Sequence, residues 1–364
     1  MLNPAMTAKR ADPASSRQRP SRGQFMASYE EVVTLENLLF AYHCACRGKR
    51  HRPSVQRYEQ MLGKNLSDLL CRLLDGSYKP RACYQFEVFC TAGQKRRLIS
   101  APAFEDTIVQ HLLYQLFYPK IERAFIFDSY GCRKGKGTHK AADRVQDFMR
   151  QAPEGSYVLQ LDVRKYYYRI NHDKLRPMLE RLIRDKRLVD LTMQFVGDGP
   201  VGLNVGSLLS QLFGMIYLDG LDHYIKRTLR VKHYVRYVDD MVLILPTREE
   251  ALKARDAIIA YLKTVDLELS KWRLQPITRG INFAGLRTWP THRLIRKRSL
   301  KTFGKALKTQ NTVSLTSILG HAAHTSSCRG LLLRVANELP AAKIRELPEP
   351  VRYKVLSTAY PEFF

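Results

Sequence analysis

Two adjacent aspartates, Asp239 and Asp240, lie in the segment HYVRYVDDMVLI (233–244), between apolar and aromatic residues. A third aspartate, Asp162, is the next-to-last residue of the β-like segment GSYVLQLDV (155–163) earlier in the chain. An isolated Asp-Asp pair is typical of a polar turn. Carboxylates at a hairpin tip and a strand end can also bind paired divalent cations, because Mg²⁺ prefers a few carboxylate oxygens together with phosphates and water. Two such ions stabilise the attacking and leaving oxygens of phosphoryl transfer.

The elements around these aspartates alternate between strands and helices. The alternation in 233–244 predicts a β-hairpin with the two aspartates at its bend. A glycine-bearing loop (199–207) leads into a helical run from about residue 207 to 230, and a second helix (248–265) follows the hairpin. Short strand-like pieces then end in GINFAGLRTW (280–289). Regular βαβ spacing is missing, which favours an α+β fold.

The N-terminal part of the chain carries weaker signals. Residues 1 to about 25 are rich in Pro, Ser, Ala and Arg without apolar periodicity, which predicts a disordered basic tail. Two helices are predicted from Leu35 to about Gly76. The segment YQFEVFCTAGQKRRLIS (84–100) predicts a hairpin, and an amphipathic helix is predicted over 103–121.

Composition narrows the class of partner. The chain has 60 Lys plus Arg against 34 Asp plus Glu, a net charge of +26, which suits a polyanion. No run of eighteen apolar residues or signal peptide is present, so we expect a cytoplasmic protein with no membrane partner. The seven scattered cysteines indicate reduced thiols, and the ligand spacing in HCACRGKRH (43–51) is not that of a typical zinc site.

The order of these motifs resembles the palm of reverse transcriptases. LDVRKYYYRINHDKL resembles the first palm motif, VGLNVGSLLSQLFGMIYLDGLD the next, YVRYVDD the catalytic hairpin and LELSKWRL the motif after it. GINFAGLR is similar to the strand pair that grips the primer end. QKRRLISAPAFEDTIVQHLL and DSYGCRKGKGTHKA resemble fingers segments of bacterial retroelement enzymes. The similarity spans roughly residues 30 to 335.

The resemblance implies an α+β right-hand polymerase, with fingers, a palm built on an antiparallel sheet, and a helical thumb. The expected fingers are residues 26–150, the palm 151–290 and the thumb 291–364. Residues of about 176–204 are expected to reach back toward the fingers. We expect no ribonuclease H or endonuclease domain after residue 330.

The resemblance also implies roles for the first palm motif and the hairpin. Asp162, Asp239 and Asp240 would be catalytic, and two Mg²⁺ ions, for which Mn²⁺ could substitute, would bind Asp162, Asp239 and the Val163 carbonyl. Tyr167 would crowd the sugar 2′ position. We interpret the neighbouring residues 166 and 168 as plain strand or core tyrosines.

Contacts to the incoming nucleotide are expected from several segments. The triple Lys95, Arg96 and Arg97 matches fingers residues that clamp triphosphate oxygens, although a solvated charge run is the alternative. Lys271 would protonate the pyrophosphate leaving group, or is a surface lysine. The full expected nucleotide-binding set is Lys95, Arg96, Arg97, Tyr167, Val205, Gly206, Gln211 and Lys271.

Two basic segments are expected to hold nucleic acid. The RKGKGTH loop would contact the template backbone through Arg133, Lys134 and Lys136, the alternative being a flexible basic turn. Residues 289–308 contain seven Lys or Arg and no acid, which suits a thumb that tracks the template–primer backbone rather than a solvated helix face. The residues expected to do so are Arg293, Arg296, Lys297 and Arg298.

The helix-opening motif narrows the resemblance further. Many relatives have Q-G-x-x-x-S-P where this chain has VGSLLSQ, with Val205 for Gln and Gln211 for Pro. This form, with the RTWPTHRLIRKRSLK and ILGHAAH segments, resembles enzymes of diversity-generating retroelements. That implies a bacterial or phage enzyme that copies a template-repeat RNA into cDNA with errors opposite adenine. We hypothesise that the loss of a polar contact at residue 205 loosens the discrimination between correct and incorrect nucleotides.

The same resemblance implies the partners. They are template RNA, primer or cDNA, dNTPs, and a small basic helical-bundle accessory protein, expected to be a pentamer. A retron-like or antiphage-defence reverse transcriptase is an alternative that shares the palm. A nucleic-acid-binding protein with a dead polymerase core is a third reading, disfavoured because unused clustered carboxylates would only repel one another.

Overall fold

The computed structural model of the chain describes residues 24–90 and 95–364. Most of the predicted basic tail lies outside these residues. At the end of the predicted tail, Phe25 is buried and its amide donates a 2.6 Å hydrogen bond to the carbonyl of Leu182. Its own carbonyl accepts from the amide of Arg184 at 3.0 Å, so the chain near residue 25 is tied to a later helix.

Helices and one hairpin form the N-terminal part. The structure confirms the predicted hairpin, whose antiparallel strands run from Tyr84↔Ala101 to Cys90↔Lys95. The helix predicted over 103–121 forms as α5, but its amphipathic character is wrong, because buried residues occur on all sides of it, among them Val109, Gln110 and Tyr114. The bounds are α1 Tyr29–Val32, α2 Leu35–Cys46, α3 Pro53–Glu59, α4 Leu62–Leu74, β1 Tyr84–Cys90, β2 Lys95–Ala101, α5 Phe104–Ile121 and α6 Thr138–Gln151.

A four-stranded antiparallel sheet occupies the middle of the molecule, in the order β4-β5-β3-β6. Because side chains alternate across a strand, one face carries Leu159 and Leu243 into the largest core, and the other carries Val158 and Val242 toward α6. The bounds are β3 Tyr157–Val163, α7 His172–Leu182, α8 Lys186–Met193, α9 Leu208–Tyr217, α10 Asp219–His223, β4 His233–Tyr237, β5 Asp240–Leu245, α11 Arg248–Thr264 and β6 Leu269–Pro276.

The helical run predicted over residues 207 to 230 is broken. It divides at Leu218 into α9 and α10, and a π-helical turn covers Tyr224–Thr228. Just after the break, a Cβ added at Gly220 would lie 2.5 Å from the hydroxyl oxygen of Tyr261. A side chain at residue 220 would therefore displace the end of the Tyr261 side chain on α11, and periodicity alone does not record that contact.

The C-terminal part has its own hydrophobic core, built from residues such as Phe303, Leu315 and Val335. A small antiparallel sheet in the order β7-β8-β9 joins it to the central sheet. The bounds are β7 Ile281–Phe283, β8 Leu286–Thr288, β9 Arg293–Ile295, α12 Lys297–Lys308, α13 Thr312–Ala322, α14 Cys328–Glu338, α15 Ala341–Arg345 and α16 Glu349–Ala359.

The mixture of helices with antiparallel sheets confirms the predicted α+β class. In residues 24–90 and 95–364, no helix combines the length and the apolar character that a membrane crossing demands. The elements that matter most for chemistry are β3, β5 and the turn before β5, because they carry the three aspartates singled out by the sequence.

Candidate active site

Strand pairing opposes two of the three aspartates, and a backbone hydrogen bond ties the third to the same strand. Asp162 at the end of β3 is the direct antiparallel partner of Asp240 at the start of β5. Directly opposed residues place their side chains on the same face of a sheet, with Cβ atoms about 5 Å apart. The amide of Val163 donates a 3.3 Å hydrogen bond to the carbonyl of Asp239, which ties the hairpin turn to the end of β3.

The turn between β4 and β5 is strained. Val238 has φ 57°, in the left-handed region that β-branched residues rarely adopt. A Cβ added at Gly131 would lie 2.5 Å from Cγ2 and 2.6 Å from the amide nitrogen of Val238, so the preceding loop leaves no room there for a side chain. Backbone strain of this kind persists where the surroundings impose it, and it is common at functional sites.

Burial and mutual repulsion disfavour the charged form of the carboxylates. Burial, with smaller contributions from the charges of Asp162 and Asp239, raises the pKa of Asp240 to about 7, although a hydrogen bond from Gln160 acts in the opposite direction. Burial also raises the pKa of Asp239, and the charge of Asp162 adds to the rise. Asp162 accepts a hydrogen bond from the Ser270 hydroxyl.

This donor set fits a hard divalent cation. Only oxygen ligands are offered, and a nearby positive charge would offset both the burial and the mutual repulsion that raise the pKa values of Asp239 and Asp240. Within the described ranges, no three His, Cys, Asp or Glu side chains converge into a complete metal-ligand set. Mg²⁺ does not need one, because it usually keeps several waters and binds through one or two carboxylates and substrate phosphates.

A family model decides the assignment. Residues 91–288, more than half of the chain, match the model described as reverse transcriptase (RNA-dependent DNA polymerase). The chain belongs to this family. Its members are nucleotidyltransferases that synthesise DNA on RNA, so this reverse transcriptase is an enzyme of that class.

Individual relatives are distant. Protein YkfC of Escherichia coli is 26% identical over 302 residues, which cover 68% of this chain and 77% of YkfC. An uncharacterized 91 kDa protein in the cob intron of Schizosaccharomyces pombe is 28% identical over 146 residues, which cover 37% of this chain and 18% of that protein.

Two solved telomerases are also similar in structure. Apo telomerase of Candida tropicalis, truncated from its C-terminal domain, matches with a TM-score of 0.45 and 13% identity, over 62% of this chain and 58% of that one. Telomerase of Candida albicans, complexed with a TWJ fragment of telomeric RNA, matches with a TM-score of 0.47 and 14% identity, over 78% and 63%. The reverse transcriptase thus spans less than two thirds of either telomerase chain.

The tyrosines of the first palm motif occupy different environments. The ring of Tyr167 packs over α9, since a Cβ added at Gly214 would lie 3.1 Å from it. Tyr166 is buried and donates a hydrogen bond to the carbonyl of Gly214, as expected for a core tyrosine. Tyr168 is 48% exposed on a short 3-10 helix, so its interpretation as a strand or core residue is wrong.

The loop before α9 packs on the fingers-like hairpin. The amide of Ser100 donates a 2.7 Å hydrogen bond to the carbonyl of Val205. Gly206 has φ 116°, and an added Cβ would lie 2.9 Å from Cγ2 of Ile99, so only glycine fits without strain. Gln211 is exposed in the first turns of α9. Val205 and Gly206 therefore lie where β2 meets the start of α9.

The basic triple of β2 is split between two faces. The side chain of Lys95 lies outside the described residues. The Arg96 guanidinium pairs with Glu87 at 3.1 Å on the exposed hairpin. Arg97 points to the opposite face, and its charge favours the ionised form of Asp239, which offsets part of the rise in pKa that burial causes. Of the described pair, Arg97 is the residue that faces the aspartates.

Lys271 lies beside the site on the outer strand β6. It is exposed and is the direct strand partner of Asp162, so both side chains point to the same face of the sheet. This placement is compatible with both readings of the residue, since the lysine is at once on the surface and adjacent to the aspartates.

The basic loop after β2 and α5 is held by contacts within the protein. Arg133 is buried, and its guanidinium donates to the carbonyls of Ile126 and Ser129 at 2.6 and 2.9 Å. The Lys136 ammonium lies 3.6 Å from the ring centroid of Phe127, and the Lys134 ammonium lies over the Tyr118 ring. The position of Arg133 does not support its prediction as a template contact, because its donors point inward.

The four predicted thumb cations also differ. Arg293 is buried and donates to Asp143 at 2.6 Å, which ties β9 to α6; its position does not support contact with a nucleic acid backbone. Arg296 lies close enough to Asp240 for its charge to offset a small part of the rise in the pKa of that carboxyl, and its buried Nε has no hydrogen-bond partner among the described residues. Lys297 and Arg298 are exposed at the start of α12.

Sequence reasoning missed a basic cavity beside the aspartates. It has a volume of about 460 Å³, and its described lining contains three arginines and no acid. The Gln160 side chain joins the cavity to the site, because its amide donates to Asp240 at 2.9 Å and to the Asn282 carbonyl at 3.0 Å. The residues that line it are Gln160, Arg273, Gln275, Thr278, Arg279, Gly280, Asn282, Arg287 and Trp289.

Gln110 was missed as well. Its Oε1 accepts hydrogen bonds from the Ser207 hydroxyl at 2.8 Å and from the Leu208 amide at 3.0 Å. A buried glutamine in α5 therefore accepts hydrogen bonds from donors at the start of α9 that have no partner within that helix. These bonds also hold the loop that carries Gly206. In the sequence, the one signal was a polar residue among the apolar residues of the helix predicted over 103–121. That signal does not identify the groups to which Gln110 bonds.

Proposed function

We propose that this reverse transcriptase extends a primer on an RNA template by two-metal nucleotidyl transfer, with Asp162, Asp239 and Asp240 as its catalytic carboxylates. The observation that carries the proposal is the strand register that opposes Asp162 to Asp240, with Asp239 tied to β3 through the Val163 amide. When bound, two Mg²⁺ ions would offset charge on the attacking 3′ oxygen and on the leaving pyrophosphate. Mn²⁺ could substitute.

The neighbouring side chains have separate tasks in this proposal. Asp162, Asp239 and the Val163 carbonyl hold the ions, and Tyr167 limits space at the sugar 2′ position. Arg97 donates to the triphosphate, a role supported by its electrostatic contact with Asp239. Lys271 provides a proton for the pyrophosphate, which its position beside Asp162 supports.

The path of the nucleic acid follows the cations around this site. The arginines of the cavity beside Asp240, with Arg296 and the exposed start of α12, would hold backbone phosphates through charge and hydrogen bonds. In this proposal residues 26–150 are the fingers, 151–290 the palm and 291–364 the thumb. The separate core of the C-terminal helices supports a thumb that folds as its own layer.

The biological role that we propose is sequence diversification. VGSLLSQ at the start of α9, with the C-terminal segments named above, supports an enzyme that copies a template-repeat RNA into error-prone cDNA. The chain would work with a small basic helical-bundle accessory protein, a pentamer. The position of Val205, where β2 meets the start of α9, supports its role beside the incoming nucleotide.

One experiment tests the activity. The purified protein is given a primed RNA template, dNTPs and Mg²⁺, beside an Asp239→Asn variant with the same thermal stability. We expect cDNA from the wild type and at least about a 10³-fold lower rate from the variant, as for removal of a group central to charge stabilisation. Equal rates would remove the aspartates from the mechanism, and substitutions confined to template adenine in the sequenced cDNA would support the diversification role.

A further inference from the structure

Arg236 is a fully buried charge directly before the strained turn. Only 1% of its side chain is exposed, and its partner Asp222 on α10 is not exposed at all. Burying an ion pair is costly unless its geometry and remaining hydrogen bonds are good. Because Arg236 alternates with Tyr237 along β4, it lies on the face of the sheet opposite Asp162 and Asp240.

Asp222 orients the guanidinium. Nε of Arg236 donates to Oδ1 of Asp222 at 2.8 Å, and Nη2 donates to Oδ2 at 2.6 Å, which is the bidentate geometry. The hydroxyl of Tyr234 donates to the same Oδ1 at 2.6 Å. With both carboxylate oxygens engaged, the plane of the guanidinium is fixed relative to α10.

The remaining guanidinium nitrogen of Arg236, Nη1, reaches the turn that carries Asp239. Nη1 of Arg236 donates a 2.9 Å hydrogen bond to the carbonyl of Val238, the residue held at φ 57°. The backbone of Arg236 is itself held by two further hydrogen bonds. Its amide donates to the backbone carbonyl of Asp128 at 3.0 Å, and its carbonyl accepts from the backbone amide of Tyr130 at 2.8 Å. One side chain therefore links a rigid helix to the peptide immediately before Asp239.

We propose that Arg236, oriented by Asp222, is a positioning residue: it holds the Val238 carbonyl so that the strained turn presents Asp239 to the metal ions. This rests on the proposed function of Asp239. Arg236 touches none of the reacting atoms. It lowers the population of turn conformations in which the Asp239 carboxylate moves away from Asp162.

The variant Arg236→Lys separates positioning from simple core packing. Lysine keeps the charge and can reach Asp222, but a single ammonium lacks the planar fork that bonds Asp222 through two donors and Val238 through a third. The control is Tyr234→Phe, which removes one hydrogen bond to Asp222 from the same buried cluster and leaves the Arg236–Val238 bond in place. A merely structural role predicts similar behaviour for the two variants at matched stability.

Two readouts are needed. Single-nucleotide extension yields kcat and KM for dNTP, and electron paramagnetic resonance of Mn²⁺ measures metal binding without turnover. For Arg236→Lys we expect kcat to fall about 100-fold, as for a displacement of about 1 Å at a reacting centre. Mn²⁺ affinity should fall about tenfold, while KM for dNTP changes less than threefold. Tyr234→Phe should keep Mn²⁺ affinity within twofold of the wild type.

Unchanged Mn²⁺ affinity in a folded Arg236→Lys protein, or equal kcat losses in the two variants, would overturn the proposal. If Arg236→Lys does not fold, Asp222→Asn replaces it with the same expected losses, because an amide has one acceptor oxygen for the fork. In a Val238→Gly background the loss caused by Arg236→Lys should shrink, since glycine adopts positive φ without strain. If the wild-type protein fails to extend any primer, that result would count against the proposed function instead. The Mn²⁺ affinity of Arg236→Lys would still show whether Arg236 positions Asp239.

Discussion

The side-chain amide of Gln160 donates a 2.9 Å hydrogen bond to Oδ1 of Asp240. The same amide donates to the carbonyl of Asn282, so one residue joins the β3–β5 strand pair to β7. The bond stabilises the ionised form of Asp240 against burial and against two neighbouring carboxylates. The protonation of Asp240 is therefore a property of the assembled sheet, and it can be tested by titration.

Asp240 should make the metal-free protein less stable at alkaline pH. Burial raises its pKa to about 7, so the folded protein retains a proton that the unfolded chain releases near pH 4. The stability contributed by this proton is present below about pH 4 and is lost as pH rises through about 7. With EDTA present, Asp240→Asn should raise the free energy of unfolding at about pH 8 by roughly 1–2 kcal/mol, measured by urea denaturation. An unchanged pH dependence would contradict the assignment.

Gly131→Ala should disturb the turn between β4 and β5. The added methyl would lie 2.5 Å from Cγ2 and 2.6 Å from the amide nitrogen of Val238, so the turn must shift. We expect at least about a 100-fold loss of kcat in primer extension, in keeping with a small displacement of reacting groups. The control is Gly63→Ala in α4, where the new methyl meets nothing within 4 Å and should stabilise the helix by about 0.5–1 kcal/mol. Normal kcat in Gly131→Ala would show that the turn tolerates the shift.

Arg97 and Arg96 should differ in their effects on nucleotide binding. Arg97→Ala removes the cation that faces Asp239, and we expect KM for dNTP to rise about tenfold or more, the size of a charged hydrogen bond. Arg96→Ala removes a cation paired with Glu87 on the other face, and KM should change less than threefold. Steady-state extension at varied dNTP measures both. Equal effects would mean that the hairpin turns its other face to the nucleotide when substrate binds.

Arg279 should contribute one phosphate contact. It lines the cavity beside Asp240, where the described lining carries no acid. We expect Arg279→Gln to weaken binding of a primed RNA template and to reduce the slope of log affinity against log salt by about 1. Lys253→Gln is the control, because Lys253 pairs with Glu249 on α11 and lines no part of the cavity. An identical salt slope for Arg279→Gln and the wild type would remove this residue from the nucleic acid path.

Val205→Gln should improve fidelity. The backbone there is held by the bond from the Ser100 amide to the Val205 carbonyl, so a longer side chain changes the local chemistry without moving the loop. A restored polar contact beside the nucleotide should lower misincorporation opposite adenine by about tenfold, in line with the discrimination of one hydrogen bond. Sequencing cDNA made from a defined RNA measures it. Unchanged error rates would show that Val205 is not the cause of misincorporation.

Sequence reasoning succeeded where the signal is local or where motifs occur in a diagnostic order. The hairpin with Asp239 and Asp240, the strand that carries Asp162 near its end, and the α+β class were all visible in alternation, periodicity and spacing. It failed where burial decides the role. Arg133 and Arg293 are basic residues in basic segments, and the sequence does not show that their guanidinium groups point into the protein.

The linear chain by itself determined the chemistry on offer: three carboxylates in apolar strands, a large excess of positive charge, and the motifs of a reverse transcriptase. Only the tertiary structure decided which groups act together. Strand register opposed Asp162 to Asp240, and packing of α10 beneath the sheet brought Asp222 to Arg236. The physical reason is that pairing and burial depend on contacts between distant segments, whereas alternation, helical periodicity and charge are properties of neighbouring residues.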